Sequence, residues 1–460
     1  MVPTWQLRAR FALRLAEMYG SEVPAYHTLV DVCRDVNDET ASARGEAGLR
    51  LGSIERVTAE RHGAIRVGSP RELAQVARVF AAFGMLPVGF YDLRDASKSS
   101  VPVVSTAFRP IDRDELARNP FRVFTSMLVT EDRRFFDAET QERLEAFIAA
   151  RELFGPELLA LADQAVLQGG LDDVDADRLL GLATDSFRLT AEPIDRDWYD
   201  TLETISAVAA DIGGVPATHI NHLTPRVLDI DELYARMQAR GIAMIDEIQG
   251  PPAWEGPDVL LRQTSFRALA EERVFRHADG SVQRGSLRVR FGEVEQRGIA
   301  LTRAGRELYD RLVVEVDARL RQAGDGATRQ EVAREVWRES LPRTERDLVL
   351  QELGYFTFRA TEVAPDGSAL KDLLESGALV AEPIVYEDFL PRSAAGIFQS
   401  NLSDEGTRDD DQAGADYDLP RLSELVGAHI HDPFDLYAAQ QDESLREAER
   451  QLGLRIDTDS

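Results

Sequence analysis

The residues of this 460-residue chain best suited to do chemistry are seven histidines and a short segment containing two glutamates. In residues 286–296, apolar side chains alternate with arginines, which predicts a half-buried strand whose apolar face carries the odd-numbered residues. The alternation places Glu293 and Glu295 on that apolar face. A carboxylate there is costly unless it is ion-paired or bound to a metal. The segment therefore predicts either a buried salt bridge or a metal ligand.

Residues 219–227 supply two histidines. In a strand, His219 and His222 would lie on opposite faces, so one of them could point into a site while the other packs or caps. A hydrogen-bonded core histidine is the alternative for either residue. The segment by itself does not decide between the two.

Residues 60–70 supply the third histidine. Strand geometry puts His62 and Arg66 on one face, four residues and therefore about 13 Å apart along the strand at about 3.3 Å per residue. A short dicarboxylate could place one end on a metal at His62 and the other in the arginine fork of Arg66. The alternative is a surface histidine with a nearby salt bridge.

Two histidines and one carboxylate on separate strands are the ligand pattern of non-haem iron(II) oxygenases, which leaves coordination positions open for substrate and O₂. Such a site carries net positive charge and favours an anionic 2-oxo acid. Two alternatives remain: a non-redox lyase or isomerase that uses another divalent metal, and a catalytically inactive binding protein. We find no zinc-type cysteine spacing, phosphate-binding loop, dinucleotide fingerprint or nucleophile-elbow serine.

Composition narrows the class of protein. The chain is 43% hydrophobic and 29% charged, which is typical of a globular protein. Its single cysteine, Cys33, excludes an intrachain disulfide and fits a reducing compartment. The net charge of −28 argues against nucleic acid or an anionic membrane as a partner. No apolar run is long enough to cross a bilayer, so we expect a soluble, cytoplasmic protein of undetermined oligomeric state.

A strand–helix–strand unit must position His62. Ser69 and Glu72 form a predicted capping box around Pro70, and helical spacing of apolar residues continues to a stop at Gly84. We predict one composite catalytic domain over 1–402, followed by an acidic loop and helical tail over 403–460. Its predicted parts are helices in 1–50 with a loop near 37–45, strand-rich regions at about 55–130, 213–300 and 379–402, a helical cap at about 130–212, and helices over 302–355.

Seven segments become recognisable together: ERHGAIRVGS, PVGFYDL, VVSTAFRPI, NPFRVFTS, HINHLTPRVLDID, FGEVEQRGIALT and PIVYEDFLPRSAAGIFQSNL. In this order, from about residue 55 to 402, they resemble the 2-oxoadipate dioxygenase/decarboxylase family, also called hydroxyglutarate synthases. That family is related to the vicinal oxygen chelate fold, whose βαβββ modules form a half-open barrel around one metal. The resemblance implies an α+β fold of this kind, with large helical insertions and a helical C-terminal part.

The resemblance also implies an activity and a ligand set. The family converts 2-oxoadipate and O₂ to D-2-hydroxyglutarate with loss of CO₂, in lysine breakdown, at one Fe(II). Its iron ligands correspond to His62, a histidine of HINHLT and a glutamate of GEVEQRG. The related hydroxyphenylpyruvate dioxygenases carry their ligands in DHLT-type and E-x-x-Q-R motifs. That second similarity favours His222 over His219 and Glu293 over Glu295.

The family's substrate contacts map onto three further residues. Arg66 corresponds to the arginine that holds the distal carboxylate of a small 2-oxo dicarboxylic acid, which sets the position of the reacting end. Arg392 and Ser393 correspond to a turn that closes the pocket through its backbone. The family usually has a small apolar residue where Arg392 stands, which leaves the pocket mouth or the substrate length open.

Overall fold

The computed structural model describes residues 1–45, 50–51, 53–95, 101–323, 327–401, 407–409 and 411–458. It is a mixed α+β structure, as the sequence predicts. The strands are β1 (Val2–Pro3), β2 (Arg61–Val67), β3 (Leu86–Asp92), β4 (Val103–Arg109), β5 (Arg122–Leu128), β6 (Gly170–Leu171), β7 (Ile194–Asp195), β8 (His222–Pro225), β9 (Leu261–Phe266), β10 (Glu271–Arg276), β11 (Val282–Leu287), β12 (Gly292–Arg297), β13 (Phe356–Ala360) and β14 (Leu379–Pro383).

Helices cover most of the remaining described residues, and none of them is long and apolar enough to cross a membrane. They are α1 (Thr4–Glu22), α2 (Ala25–Arg44), α3 (Ile54–Ala59), α4 (Pro70–Ala81), α5 (Arg113–Arg118), α6 (Ala138–Ala150), α7 (Pro156–Gln168), α8 (Asp173–Asp185), α9 (Arg196–Ile205), α10 (Ala207–Gly213), α11 (Ile230–Ala239), α12 (Arg303–Ala323), α13 (Arg329–Ser340), α14 (Glu345–Leu350), α15 (Leu370–Ser376), α16 (Pro391–Asn401), α17 (Leu419–Val426) and α18 (Pro433–Leu452).

The first half of the site is the unit β2–α4–β3–β4–β5. Its strands lie in the order β3–β4–β5–β2, with β2 parallel to β5. The predicted helix forms over Pro70–Ala81: the Ser69 hydroxyl accepts a hydrogen bond from the Glu72 backbone N–H at 3.3 Å, and Pro70 occupies the first turn. The helix buries Leu73 and Val76 on its inner face, which holds it against the sheet.

The second half repeats this arrangement with β8, α11, the segment around Met244, β9 and β12. β9 pairs with β12, and Met244 forms an isolated bridge to Phe266 at the end of β9. β12 runs beside the chain that leaves β8, through a parallel bridge between Arg226 and Glu295. The strand–helix–strand–strand–strand pattern therefore occurs twice, with the β10–β11 hairpin inserted in the second copy.

The two halves meet where β2 pairs with β8. His62 lies opposite Thr224, Gly63 opposite Leu223, and Ala64 opposite His222. This register has a local two-fold axis between Gly63 and Leu223, which exchanges the two histidines. Gly63 allows close packing there, because an added Cβ would lie 2.8 Å from the Ile220 Cδ1 methyl group, which would have to shift. β2 and β8 thus belong to one five-stranded sheet, β3–β4–β5–β2–β8, and the Arg226–Glu295 bridge links it to the β12–β9 pair. These strands do not close into a barrel among the described residues.

Helices cover the outer face of this sheet, while the inner face carries the site. Ile65 and Val67 pack with residues of α1, α2 and α4 in one core cluster. Ala64 and Phe124, on the opposite face, belong to a second cluster that extends to α12, α16 and α18. Because successive side chains of β2 point to opposite faces of the sheet, hydrophobic residues of β2 pack against the helices while His62 points to the inner face.

Three sequence predictions are corrected. The predicted strand 286–296 is two strands in different sheets, because the chain leaves β11 at Leu287 and the buried Arg290 instead pairs with Glu22 and Glu271. The loop predicted near 37–45 is helical to Arg44. Buried Asn37 supports this helix through its side-chain amide, which donates to the Arg226 carbonyl at 3.1 Å and accepts from the Leu228 N–H at 2.7 Å.

The third correction concerns 379–402 and the segment after it. The strand ends at Pro383, and α16 follows because Pro391 suits the first turn of a helix. In the segment predicted as an acidic surface loop, residues 403–406 and 410 lie outside the described residues, and the others up to 417 form neither helix nor strand. The tail helix α18 packs against β13, and its Tyr437 hydroxyl accepts a hydrogen bond from the Glu387 N–H at 2.7 Å.

Candidate metal centre

His62, His222 and Glu293 come together on the inner face of three neighbouring strands, β2, β8 and β12. One ligand atom from each lies within 4.8 Å of the others. The Nε2 atoms of His62 and His222 lie 3.5 and 3.3 Å from the two Glu293 oxygens. All three side chains are buried, with exposed fractions of 1%, 6% and 3%.

The space beside these atoms is small, about 20 Å³, or room for about one water molecule. Gln263 on β9 donates a hydrogen bond from Nε2 to the Glu293 carboxylate. The other walls come from β5, from α16 and from the segment before it. The cavity is lined by His62, Phe124, His222, Gln263, Glu293, Phe389, Ala394 and Ile397.

Glu295 lies behind His62 rather than in front of it. Its Oε2 is 2.8 Å from His62 Nδ1, on the side of the ring away from Nε2. Arg297 grips Glu295 with two hydrogen bonds of 2.7 and 2.8 Å, and Arg122 adds a third of 3.3 Å. Burial raises the pKa of Glu295, but these arginines and His62 outweigh it and lower the pKa to about 2. Glu295 is therefore an ionised carboxylate that fixes the orientation of the imidazole.

A wider network of buried charges holds Glu295 and its partners. Arg122 also bonds to Glu60 at 2.8 Å and to Glu387, and Arg226 bonds to Glu60 at 2.8 Å. Removing one member would leave a buried charge without its partner, which is strongly destabilising. The network makes the surroundings of His62 rigid.

The two histidines differ in their surroundings. Burial lowers the pKa of His62, but Glu295 and Glu293 outweigh it and hold the pKa above its ordinary value. For His222, burial dominates and lowers the pKa to about 4. Its Nδ1 has no hydrogen-bond partner among the described residues. His222 is thus a neutral imidazole at neutral pH, the form that binds metals.

His219 faces away from this group. Its Nε2 lies 3.5 Å from Asp211 and 3.2 Å from the amide nitrogen of Asn221. Burial lowers its pKa to about 4, although Asp211 acts in the opposite direction. Arg66 pairs with the same Asp211, whose carboxylate also accepts a 3.0 Å hydrogen bond from Asn221. The four residues form one buried polar cluster beyond Ala64.

Arg66 therefore lies in the site region without lining the small cavity. It is 4% exposed, and its charge contributes to the lowered pKa of His222. Arg392 and Ser393 lie at the start of α16. The Arg392 side chain is 59% exposed and pairs with Asp317 at 3.1 Å, whereas Ser393 is buried. Both line a separate outer cavity, while Ala394 and Ile397 of the same helix face the metal centre.

Sequence reasoning missed several residues that shape the site. Phe124, Gln263 and Phe389 line the cavity beside the candidate ligands, but nothing in their local patterns distinguishes them from core residues. Asp211 sits in the predicted helical cap, and its role arises only when α10 packs beside β2. Side chains alternate between the two faces of the strand around Phe124. This alternation would have predicted that the Phe124 ring lies on the inner face if the pairing of β5 with β2 had been known.

The donor set fits a divalent transition metal. Two imidazole nitrogens and one carboxylate oxygen, without a thiolate, suit Fe(II), Mn(II), Co(II) or Zn(II). Both Nε2 atoms lie farther from Glu293 than an ideal hydrogen bond, so a cation between them replaces weak contacts with ligand bonds. Three candidate ligands from the protein would leave further coordination positions of such a metal open.

Comparison with known proteins gives one consistent family. Residues 11–401 match the family model described as 2-oxoadipate dioxygenase/decarboxylase. The protein of that name from Mycobacterium tuberculosis is 55% identical over 96% of this chain and 98% of its own length. The one from Pseudomonas putida is 39% identical over 97% of each chain. The hydroxyglutarate synthase of Pseudomonas putida, crystallised with 2-oxoadipate, superposes with a TM-score of 0.84 at 37% identity over 99% of both chains. This chain belongs to the 2-oxoadipate dioxygenase/decarboxylase family.

Proposed function

We propose that this chain binds one Fe(II) through His62, His222 and Glu293, and converts 2-oxoadipate and O₂ to D-2-hydroxyglutarate and CO₂. The observation that carries the proposal is the buried group of two imidazoles and one carboxylate, with ligand atoms within 4.8 Å. The relative crystallised with 2-oxoadipate supports the choice of substrate. The reaction balances with one O₂ consumed and one CO₂ released, and both oxygen atoms of O₂ end in the products.

The chain's own residues bind and orient the substrate in this proposal. His62, His222 and Glu293 would hold iron(II), which would supply Lewis-acid binding of the 2-oxo acid and activation of O₂. Arg66 binds the distal carboxylate, and Asp211 holds Arg66 in place. The positioned far end keeps the chain of the acid in one register, so oxidation falls on the same carbon in each turnover.

Phe124, Phe389 and Ile397 exclude water from the reacting end, since all three line the cavity and are buried. Because the cavity has room for about one water, a six-carbon acid enters only when part of this wall moves. α16 is the wall element with a cavity on its other side, lined by Arg392 and Ser393. We assign the closing role of Arg392 and Ser393 to this helix.

The same proposal covers location and domain organisation. We infer one catalytic domain over residues 1–402, because α16 and β12 contribute to one cavity. The tail helix α18 supports it through Tyr437, whose hydroxyl donates to the Asp388 carboxylate. A cytoplasmic location and a role in lysine breakdown belong to this proposal as well.

The test is oxygen uptake by iron(II)-loaded protein with 2-oxoadipate, with ¹⁸O₂ and mass analysis of the product. We expect one O₂ consumed per D-2-hydroxyglutarate formed, with label in both the new carboxylate and the hydroxyl group. Conversion of the acid without oxygen uptake would instead support a non-redox lyase or isomerase. Metal binding with no conversion of any 2-oxo acid would support an inactive binding protein.

A further inference from the structure

A third cavity shares Phe389 with the small cavity at the metal centre. Its volume is about 370 Å³. It is lined by Gly89, Phe90, Tyr91, Leu260, Leu301, Arg306, Tyr386, Phe389, Pro391, Leu419, Asp432, Pro433, Phe434 and Tyr437. We refer to it as the apolar cavity.

The lining of the apolar cavity includes both partly exposed and buried residues. Its outer residues Leu419 and Phe434 are partly exposed, whereas its inner residues Leu260 and Leu301 are buried. Phe389 belongs to the walls of both this cavity and the metal cavity. Its ring centroid lies 5.0 Å from that of His62 and 4.9 Å from that of Phe124. One aromatic ring therefore separates the apolar cavity from the metal ligands.

The two reactants of the proposed function differ in how easily they can pass through an apolar cavity. A dianionic 2-oxo acid would lose its hydration there, and the apolar lining offers few polar contacts to compensate, so its transfer costs free energy. O₂ is small, neutral and apolar, and apolar cavities in proteins stay dry and take up gases such as xenon. The charged residues Arg306 and Asp432 are part of the wall, while most of the lining is aliphatic or aromatic.

We propose that the apolar cavity is the route by which O₂ reaches the metal centre, with Phe389 as its inner gate. The acid uses a different side, near Arg66 and α16. The inference rests on the proposed function, because it needs O₂ as a reactant. It adds a separate entry path and a gating residue to that function.

Two filling variants test the route. Leu301→Phe adds volume at the inner end, and Leu419→Trp adds it at the partly exposed mouth, where folding is least affected. Each should lower kcat/KM for O₂ by about fivefold and leave KM for 2-oxoadipate at saturating O₂ within about twofold of the parent value. Leu167→Trp on α7, whose side chain is mostly exposed and outside the cavity, is the matched control and should change neither constant.

Xenon gives a readout that does not depend on turnover. Crystals pressurised with xenon should hold it in the apolar cavity of the parent protein and lose it in Leu301→Phe. If neither filling variant changes kcat/KM for O₂, or if they raise KM for the acid instead, the route is wrong even though the enzyme is active. Absence of oxygen uptake by the parent protein with 2-oxoadipate would contradict the proposed function itself, and xenon binding would still report on the cavity.

Discussion

The two halves that meet at β2 and β8 place different residues at equivalent positions. The two-fold relation at β2–β8 exchanges His62 with His222. In the first half, Ala64 lies opposite Phe124 of β5. In the second, continuing the Arg226–Glu295 register back by two residues puts Thr224 beside Glu293. Equivalent positions thus carry a phenylalanine in one half and a carboxylate in the other.

This difference makes an asymmetric centre from a symmetric scaffold. A carboxylate at both positions would offer a metal four protein ligands and leave fewer positions open for reactants. With Phe124 in place of the second carboxylate, three candidate ligands remain and an aromatic side chain lines the same cavity. The repeated fold therefore sets the strand positions at which metal ligands can lie. Single residues at those positions decide how many ligands there are.

The largest expected effect is at the carboxylate that distinguishes the halves. Glu293→Gln removes the only anionic ligand, so we expect loss of bound iron and a fall of at least about a thousandfold in kcat/KM. Metal analysis after dialysis, together with oxygen uptake, measures both. Glu272→Gln at an exposed strand position is the control and should retain iron and activity. Full activity of Glu293→Gln would remove it from the ligand set.

The next effect concerns Arg66, which binds the far end of the substrate in our account. Arg66→Ala should raise KM for 2-oxoadipate about a hundredfold, since a buried charge-assisted pair is lost. For 2-oxohexanoate, which has no distal carboxylate, KM should change little. Steady-state kinetics with the two acids give the comparison, and equal effects on both would contradict the assignment.

A smaller effect is expected where the halves support their histidines differently. Glu295→Gln removes the charge behind His62, and should weaken metal binding by about tenfold or more. The equivalent position in the first half is Ser126, whose hydroxyl shares a 2.9 Å hydrogen bond with the Ser105 hydroxyl, so Ser126→Ala should leave the metal affinity unchanged. Titration of the apoprotein with Co(II), followed by its visible absorption, measures the affinity and the ligand geometry. Equal affinity in both variants would contradict a positioning role for Glu295.

The smallest effect is predicted for Arg392, at a position where the resemblance implied a small apolar residue. Its guanidinium is mostly exposed and pairs with Asp317, and exposed pairs contribute about 0–1 kcal/mol. Arg392→Val should therefore change the free energy of unfolding and KM for 2-oxoadipate only slightly. Thermal unfolding and kinetics test this. A rise in KM of about tenfold or more would place the side chain in substrate binding after all.

Local patterns in the sequence predicted the parts of the site that depend on one strand at a time. The alternation around His62 and Arg66, and the capping signals of Ser69 and Glu72, depend on neighbours in the chain and were sufficient to predict β2 and α4. The choice of His222 and Glu293 came from similarity to known families. The alternation of side chains along a strand was equally compatible with His219 and Glu295.

Long-range pairing was beyond the sequence. The predicted strand is interrupted at 288–291 because Arg290 forms ion pairs with Glu22 and Glu271, which are not its neighbours in the chain. Asp211 gains its role only from contacts across the sheet. The two halves repeat without a fixed period in the sequence, because the β10–β11 hairpin interrupts the second half. Such features follow from which strands meet, and local spacing does not determine that.

The ligand set is the central claim, and iron content tests it most directly. Purified parent protein, His222→Ala and His219→Ala would be loaded anaerobically with Fe(II), desalted and analysed for iron per chain. We predict about one iron in the parent and in His219→Ala, and less than about a tenth in His222→Ala. Iron retained in His222→Ala and lost in His219→Ala would contradict the account.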